Sequence, residues 1–423
     1  MQIVLAKGDE GMLVSIELWA RPGIVSLPGG FPAVIWGLAT SPTAAPQVPG
    51  PVLAATVGDM VEITLHNMLN EPVSLTFPGQ EIAPEPVLDA GGRLVSLTRF
   101  AAPGRSVVYS FPAYRPGTFR YESGTSPERQ VQMGLYGALI VRPAGWDDPG
   151  SPNYYTAYGA DTGSGYDVEA VILLSEFDRA AHEVIATGAI YNPLNYAPQY
   201  WLVNGRPFPD CVAPPDTSTQ PLSSRVPVLA GQRVLLRLIN AGFLAHTLAF
   251  QEGPARVVAE DGRPRRSPLL DATYDKNAIT LGAGQSADLV FTPPEGEHYL
   301  YDRDLLHLVN TDDYPGGMMA LVDVRPAFPV TPPQAPSSLT ATAALPGQVE
   351  LTWINNAADE DGFVLERRAG GGPFLRVTTL MVGATAYTDT HVEANTTYTY
   401  RVLAFNLAGT SAYSNEAVVT TLP

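Results

Sequence analysis

Apolar and polar positions alternate with a period of two over several short stretches of the 423-residue chain, the pattern of strands with one buried face. Val61, Ile63 and Leu65 fall on one side of a stretch whose other side carries Glu62, Thr64 and His66, and Val107, Tyr109 and Phe111 repeat the pattern. Residues 168–176 form a longer apolar run closed by acidic residues, which predicts a buried strand. Glycine turns at Gly58-Asp59 and Gly231-Gln232 introduce strands, because glycine accepts positive φ at no steric cost. Asn204-Gly205 suits a two-residue hairpin turn. Strands at a spacing of about 8–12 residues with such turns predict an all-β chain built of sandwiches.

Three segments recur in the same order. The first copy is PVLAATVGDMVEITLHN (51–67), APGRSVVYSFPAYRPGTFRY (102–121) and MGLYGALIVRP (133–143). The second is PVLAGQRVLLRLIN (227–240), LGAGQSADLVFTPPEGEHYLY (281–301) and YPGGMMALVDVRP (314–326). Two domains of one fold follow. The boundaries read as 1–145 for the first and 146–328 for the second, which opens with a Tyr-rich connector; a Pro-rich linker spans 329–336 and a third unit 337–423.

Composition narrows the classes. Glycine and proline are abundant, at 39 and 40 residues, which favours turn-rich β-structure over helices. A net charge of −17 argues against nucleic acid and anionic membrane surfaces, since phosphates would be repelled. No apolar run approaches the roughly 18 residues of a membrane span, and Met1 is not followed by a basic-then-apolar leader. The expected location is extracellular, cell-surface or periplasmic, with any export signal outside the given chain. A single cysteine, Cys211, excludes an internal disulfide and any multi-cysteine metal site.

Residues 117–143, GTFRYESGTSPERQVQMGLYGALIVRP, resemble the first-domain motif of the multicopper oxidases, and YNPLNYAPQYWLVNGRPFPD (191–210) resembles their second-domain signature. The resemblance implies two Greek-key cupredoxin-like β-sandwiches. The third unit resembles a fibronectin type III domain, an immunoglobulin-like sandwich. Trp353, the run TTYTYRVLAFNLAGTSAYSN (396–415) and Tyr398 as a corner tyrosine carry that likeness, with Tyr400, Val402 and Ala404 facing inward and Arg401 and Leu403 the other way.

The oxidase resemblance also implies where copper ligands belong. Thr76 and Pro78 stand in place of two histidines after the early hairpin of the first domain, and Glu122 and Gly124 replace two more. Borderline copper sites want imidazole or thiolate donors, so a trinuclear cluster is not expected. In the second domain His246 holds the upstream ligand place, and the downstream loop offers His307 with Met318 or Met319, but no cysteine for a blue-copper site. A mononuclear site from His246, His298, Asp302, Asp304 and His307 is the remaining metal candidate, since two imidazoles and a carboxylate hold copper, iron or zinc. The acidic pairs Asp147-Asp148 and Asp312-Asp313 are candidates for calcium. His66, His182 and His391 read as isolated surface or edge residues, and His298 as solvated ahead of a strand.

The expectation from these losses is a non-enzymatic structural or adhesive protein with no cofactor, working through protein partners or self-association. The alternative is an oxidoreductase with a reduced or unusual mononuclear copper or other metal site in the second domain. A second alternative, suggested by the tyrosines of residues 154–158, is carbohydrate binding.

Overall fold

A computed structural model describes residues 3–5, 11–83, 85–214, 219–251, 253–311, 313–329 and 331–423. The chain is mostly β, and the six larger sheets among the described residues fall into three face-to-face pairs along the sequence, beside two two-stranded ribbons. The first pair sets Ile3–Leu5, Val52–Thr56, Tyr136–Arg142 and Gly117–Glu122 against Phe31–Ala39, Leu13–Leu27, Met60–Asn67 and Ser106–Pro112. Val61, Ile63 and Leu65 from one sheet meet Phe119, Tyr121, Leu139 and Val141 from the other in a shared core, while Glu62, Thr64 and His66 point outward, as strand alternation requires.

The second pair repeats this plan. Val52–Thr56 runs parallel to Tyr136–Arg142, and Arg225–Leu229 runs parallel to Met319–Arg325. Leu13–Leu27 lies parallel to Met60–Asn67, and Val168–Phe177 to Val234–Asn240. The repeat extends to single hydrogen bonds. The Asn67 amide donates to the Glu71 and Ala101 carbonyls and its oxygen accepts from Leu69 N–H; the Asn240 amide donates to Leu244 and Leu281 and its oxygen accepts from Gly242 N–H. Asparagine fits both places because it supplies two donors and an acceptor to a strand end whose backbone groups would otherwise be buried unpaired.

The two sandwiches are fused along a common apolar seam. Val25, Ile35, Val52, Ala138 and Ile140 pack there with Val171, Leu173, Phe177, Leu202 and Ile239. The Asn204-Gly205 turn enters this seam with φ of 53° and 80°, and a Cβ at Gly205 would fall 2.2 Å from the Val48 carbonyl oxygen. Only glycine allows both the conformation and the approach.

A buried polar network crosses the same seam. Arg237 Nε donates to Glu169 Oε1 at 2.6 Å, and its Nη1 donates to Thr118 Oγ1 at 2.9 Å and to Asp288 Oδ2 at 3.2 Å. Thr118 and Tyr158 hydroxyls both donate to Asp288, and Arg142 pairs with Glu169. Burial pushes Asp288 up despite Arg237, whereas for Glu169 the two guanidinium groups outweigh burial and hold it down.

The third sheet pair, with Trp353, Phe363, Leu365, Tyr400 and Val402 in its core, is not a free module. Its edge strand Leu375–Met381 meets the turn of the first domain, where Gly29 N–H donates to the Val377 carbonyl and Ser26 Oγ to the Arg376 carbonyl. Thr379 Oγ1 donates to Asp210, Arg225 pairs with Asp361, and Ala213 packs against Val364, Leu403 and Phe405. Leu403 does face away from the inner core, as strand alternation requires, and the second domain covers it.

Removing one member of a buried ion pair leaves the others unpaired in a low-dielectric setting, at a cost of about 3–5 kcal/mol. Arg237→Ala is therefore expected to lower the unfolding free energy by roughly that amount in a urea titration; a loss near zero would mean that the seam does not depend on the network.

Candidate metal centre

The apolar run of residues 168–176 becomes a central strand, Val168–Phe177, and Glu176 sits near its end. Directly across the ladder, Glu176 is opposite Trp201 of Tyr200–Val203. The strand His246–Phe250 begins with His246, and Gly296–Asp302 ends with Asp302 beside it. After Asp302 the chain turns back through the short helical turn Leu305–His307, whose first N–H groups are met by Asp304, which accepts from Leu306 N–H at 3.1 Å. This reversal returns His307 to Asp302.

Both imidazoles converge on one oxygen. Asp302 Oδ2 lies 2.7 Å from His246 Nδ1 and 2.8 Å from His307 Nδ1. One ligand-type atom from each residue lies within 4.8 Å of the others. The far side of His246 is also occupied, with Nε2 2.6 Å from Glu176 Oε1. The indole of Trp201 stacks on His307, ring centroids 3.5 Å apart and planes 23° from parallel. His246, Asp302 and Glu176 are buried, whereas the His307 side chain keeps 11% of its surface exposed.

Burial alone would pull His246 down, but hydrogen bonds to Asp302 and Glu176 outweigh it and hold its pKa up at about 9. Burial would raise Asp302, yet hydrogen bonds from His246 and His307 hold its carboxyl well below the usual range. Glu176 is likewise held low against burial, first by His246 and then by the Phe243 and Leu244 N–H groups. Two imidazoles and a carboxylate that meet in this way form a donor set that fits copper, iron or zinc.

Of the residues expected from the sequence, His246, Asp302 and His307 come together. Asp304 is half exposed and stands 3.5 Å from His307 Nε2, the opposite ring nitrogen. Met318 is fully buried in the apolar core, its N–H bonded to the His307 carbonyl. His298 is inside a strand and buried, with Nε2 2.7 Å from the Pro294 carbonyl oxygen, so its solvated reading is corrected. The surface or edge reading of His182 is corrected too: it is buried, stacked on Phe177 and bonded to the Val34 and Gln132 carbonyls. Cys211 is fully buried with its thiol pushed up to about 12, away from the reactive thiolate form.

In the first domain the fold brings Thr76, Glu122 and Gly124 side by side with no imidazole among them. Thr76 and Glu122 exchange backbone hydrogen bonds, Glu122 pairs with Arg120 at 2.7 Å, and a Cβ at Gly124 would fall 2.6 Å from Thr76 Cγ2. Ser74, Ser96 and Thr125 knot their hydroxyls beside them, and Pro78 is exposed. Asp148 is taken up by a turn, accepting from Gly150 N–H, and Asp312 lies outside the described residues. Tyr158, one of the tyrosines that suggested sugar binding, is buried against Asp288.

Sequence reasoning missed Glu176 and Trp201. The available signal was a carboxylate at the end of an otherwise apolar, doubly covered strand, where an unpaired charge would be costly.

Residues 38–145 match the family model for multicopper oxidases. Laccase-1 of Cryptococcus neoformans var. grubii is 26% identical over 259 residues, 59% of this chain and 38% of the relative. The L-ascorbate oxidase of Cucurbita pepo var. melopepo is 31% identical over 169 residues, 39% of this chain and 27% of the relative. The matches thus span well under half the length of these curated relatives. Among solved structures, the blue copper oxidase of Nitrosomonas europaea superposes with a TM-score of 0.56 at 21% identity, covering 74% of this chain and 86% of that one. A multicopper oxidase, mgLAC, gives 0.57 at 20% identity over 75% of this chain and 88% of that one.

The relatives named here are oxidases, and the family model and both solved structures are described as those of copper oxidases. That corrects the expectation of a structural or adhesive, non-enzymatic chain, and the expectation of no cofactor falls with it. Among the described residues no helix is long and apolar enough to cross a membrane.

The raised pKa of His246 has a definite sign. The folded state binds a proton more tightly than a free imidazole of pKa 6.5, so the associated stability is complete below that pH and fades as pH rises through about 9. Metal-stripped protein is expected to lose thermal stability across this interval, and His246→Phe to flatten the slope; a wild-type melting temperature constant from pH 6.5 to 9 contradicts the assignment.

Proposed function

We propose that the chain is a copper-dependent oxidoreductase with one mononuclear centre, held by His246 Nδ1, His307 Nδ1 and Asp302 Oδ2. The observation that carries this reading is the convergence of two Nδ1 atoms on one carboxylate oxygen. The similarity to copper oxidases supports copper over other ions that accept the same donors.

Bound copper supplies one-electron redox chemistry there. The protein contributes the rest. Asp302 and His246 are buried, so water reaches the centre mainly by way of His307. Its imidazole is the partly exposed edge against which a reducing substrate can rest. Trp201 covers one face of that ring and limits its rotation. Leu305 and Leu306, both exposed, precede it and give the approach an apolar rim. With oxygen and nitrogen donors alone, the centre lacks the thiolate that gives blue copper its colour and potential. With no imidazole at Thr76, Pro78, Glu122 or Gly124, the proposal is confined to single-electron oxidation at the second domain.

We further assign the C-terminal unit as a fibronectin type III-like sandwich acting as a buttress. Tyr398 OH accepting from Glu393 N–H, and the contacts of that unit with both preceding domains, support this role.

The test is elemental analysis of the full chain after Cu(II) incubation and dialysis. Near-stoichiometric copper with a pale colour and an electron paramagnetic spectrum of nitrogen and oxygen donors is expected, and both His246→Ala and His307→Ala should abolish it. Copper retained in either variant, or no copper in the wild type, refutes the site.

A further inference from the structure

We infer that Glu176 is the positioning residue of this centre: it fixes the tautomer and orientation of His246 so that Nδ1, and not Nε2, is presented to a metal ion. The inference rests on the proposed site and goes beyond it, because Glu176 lies outside the donor trio.

A neutral imidazole carries its proton on one nitrogen only, and the other nitrogen is the ligand. His246 is flanked by Asp302 at Nδ1, 2.7 Å, and by Glu176 at Nε2, 2.6 Å; with a metal ion on Nδ1, the ring's one remaining proton is on Nε2, where Glu176 Oε1 accepts it. Carboxylates placed this way orient metal-bound histidines and raise their basicity.

Glu176 is built to stay ionised and still. Oε1 accepts from Leu244 N–H at 3.1 Å as well as from His246, and Oε2 accepts from Phe243 N–H and from Tyr196 OH, each at 2.9 Å. The backbone wraps so closely that a Cβ at Gly242 would lie 2.3 Å from Oε1. Both backbone partners are fixed donors. A glutamine in this place would set its own NH2 group against one of them, whichever way the amide turned. The site thus discriminates a carboxylate from its isosteric amide, a demand that filling space alone does not make.

The experiment uses the full chain, stripped with a chelator, in three forms: wild type, Glu176→Gln and Tyr196→Phe. Co(II) affinity is measured by calorimetry at one pH, and the tautomer of His246 is read from imidazole 15N shifts of the Zn(II)-loaded protein. The wild type is expected to bind with His246 in the Nε2–H form. Glu176→Gln is expected to weaken Co(II) by about 10–100-fold and to lose the Nε2–H signature while the thermal melt stays cooperative. Tyr196→Phe, which removes one donor to Glu176, is expected to weaken binding less. Equal affinity and an unchanged tautomer in Glu176→Gln overturn the inference and leave the metal site standing. If Glu176→Gln does not fold, Tyr196→Phe decides, and unchanged affinity there overturns the inference. A wild type that binds no Co(II) overturns the site itself, and the role of Glu176 with it.

Discussion

The two N-terminal sandwiches depend on one buried guanidinium. Arg237 is wholly enclosed, and its charge is tolerable only because Glu169 and Asp288 surround it, with Thr118 of the first domain as a further partner. A charge in that position without partners would be costly. The network therefore does more than decorate an interface: it requires strands of both domains to be present and in register. The apolar seam of Val25, Ile35, Val171 and Ile239 supplies attraction without direction. The ionic cluster supplies direction, since its hydrogen bonds are met in one arrangement.

That fixed seam has consequences for the metal centre. Glu169 and Glu176 stand on the same strand, Val168–Phe177, one at the ionic cluster and the other beside His246. The strand that locks the domains together also carries the carboxylate behind the centre. His246 and Asp302 are delivered by neighbouring strands of the facing sheet, so three of the four groups ride on rigid ladders. Only His307 comes from a turn, and it is the one with an exposed edge. Sites on strands hold geometry more tightly than sites on loops, and here the better-held groups are the buried ones.

In the first domain, the places where the oxidase resemblance expects imidazoles are filled by other groups. Hydrogen-bonded serine and threonine hydroxyls, an Arg120–Glu122 ion pair and the close contact at Gly124 fill them. In the second domain a carboxylate stands between two histidines. An account built on the first domain alone leads to a scaffold without chemistry; the second domain holds the cluster on which the proposed copper centre rests.

The sequence by itself determined the β-class, the repeat and the alternating faces. Those follow from local rules: a period of two along a strand, glycine at positive φ, and three segments recurring in one order. It also marked His246, Asp302 and His307 as candidates, because the resemblance to multicopper oxidases implied where ligands belong. Which candidates meet was decided by tertiary structure. Asp304, two residues from Asp302, faces the other ring nitrogen, and His298, four residues away, turns to its own backbone, since neighbours in sequence leave a strand end in different directions. Glu176 and Trp201 became part of the centre only through strand pairing across residues far apart in the chain, a contact that no local pattern encodes. The same holds for the C-terminal unit, whose own sandwich was legible in its alternation, while its docking through Gly29 and Asp210 depended on surfaces that exist only once the other two domains have folded.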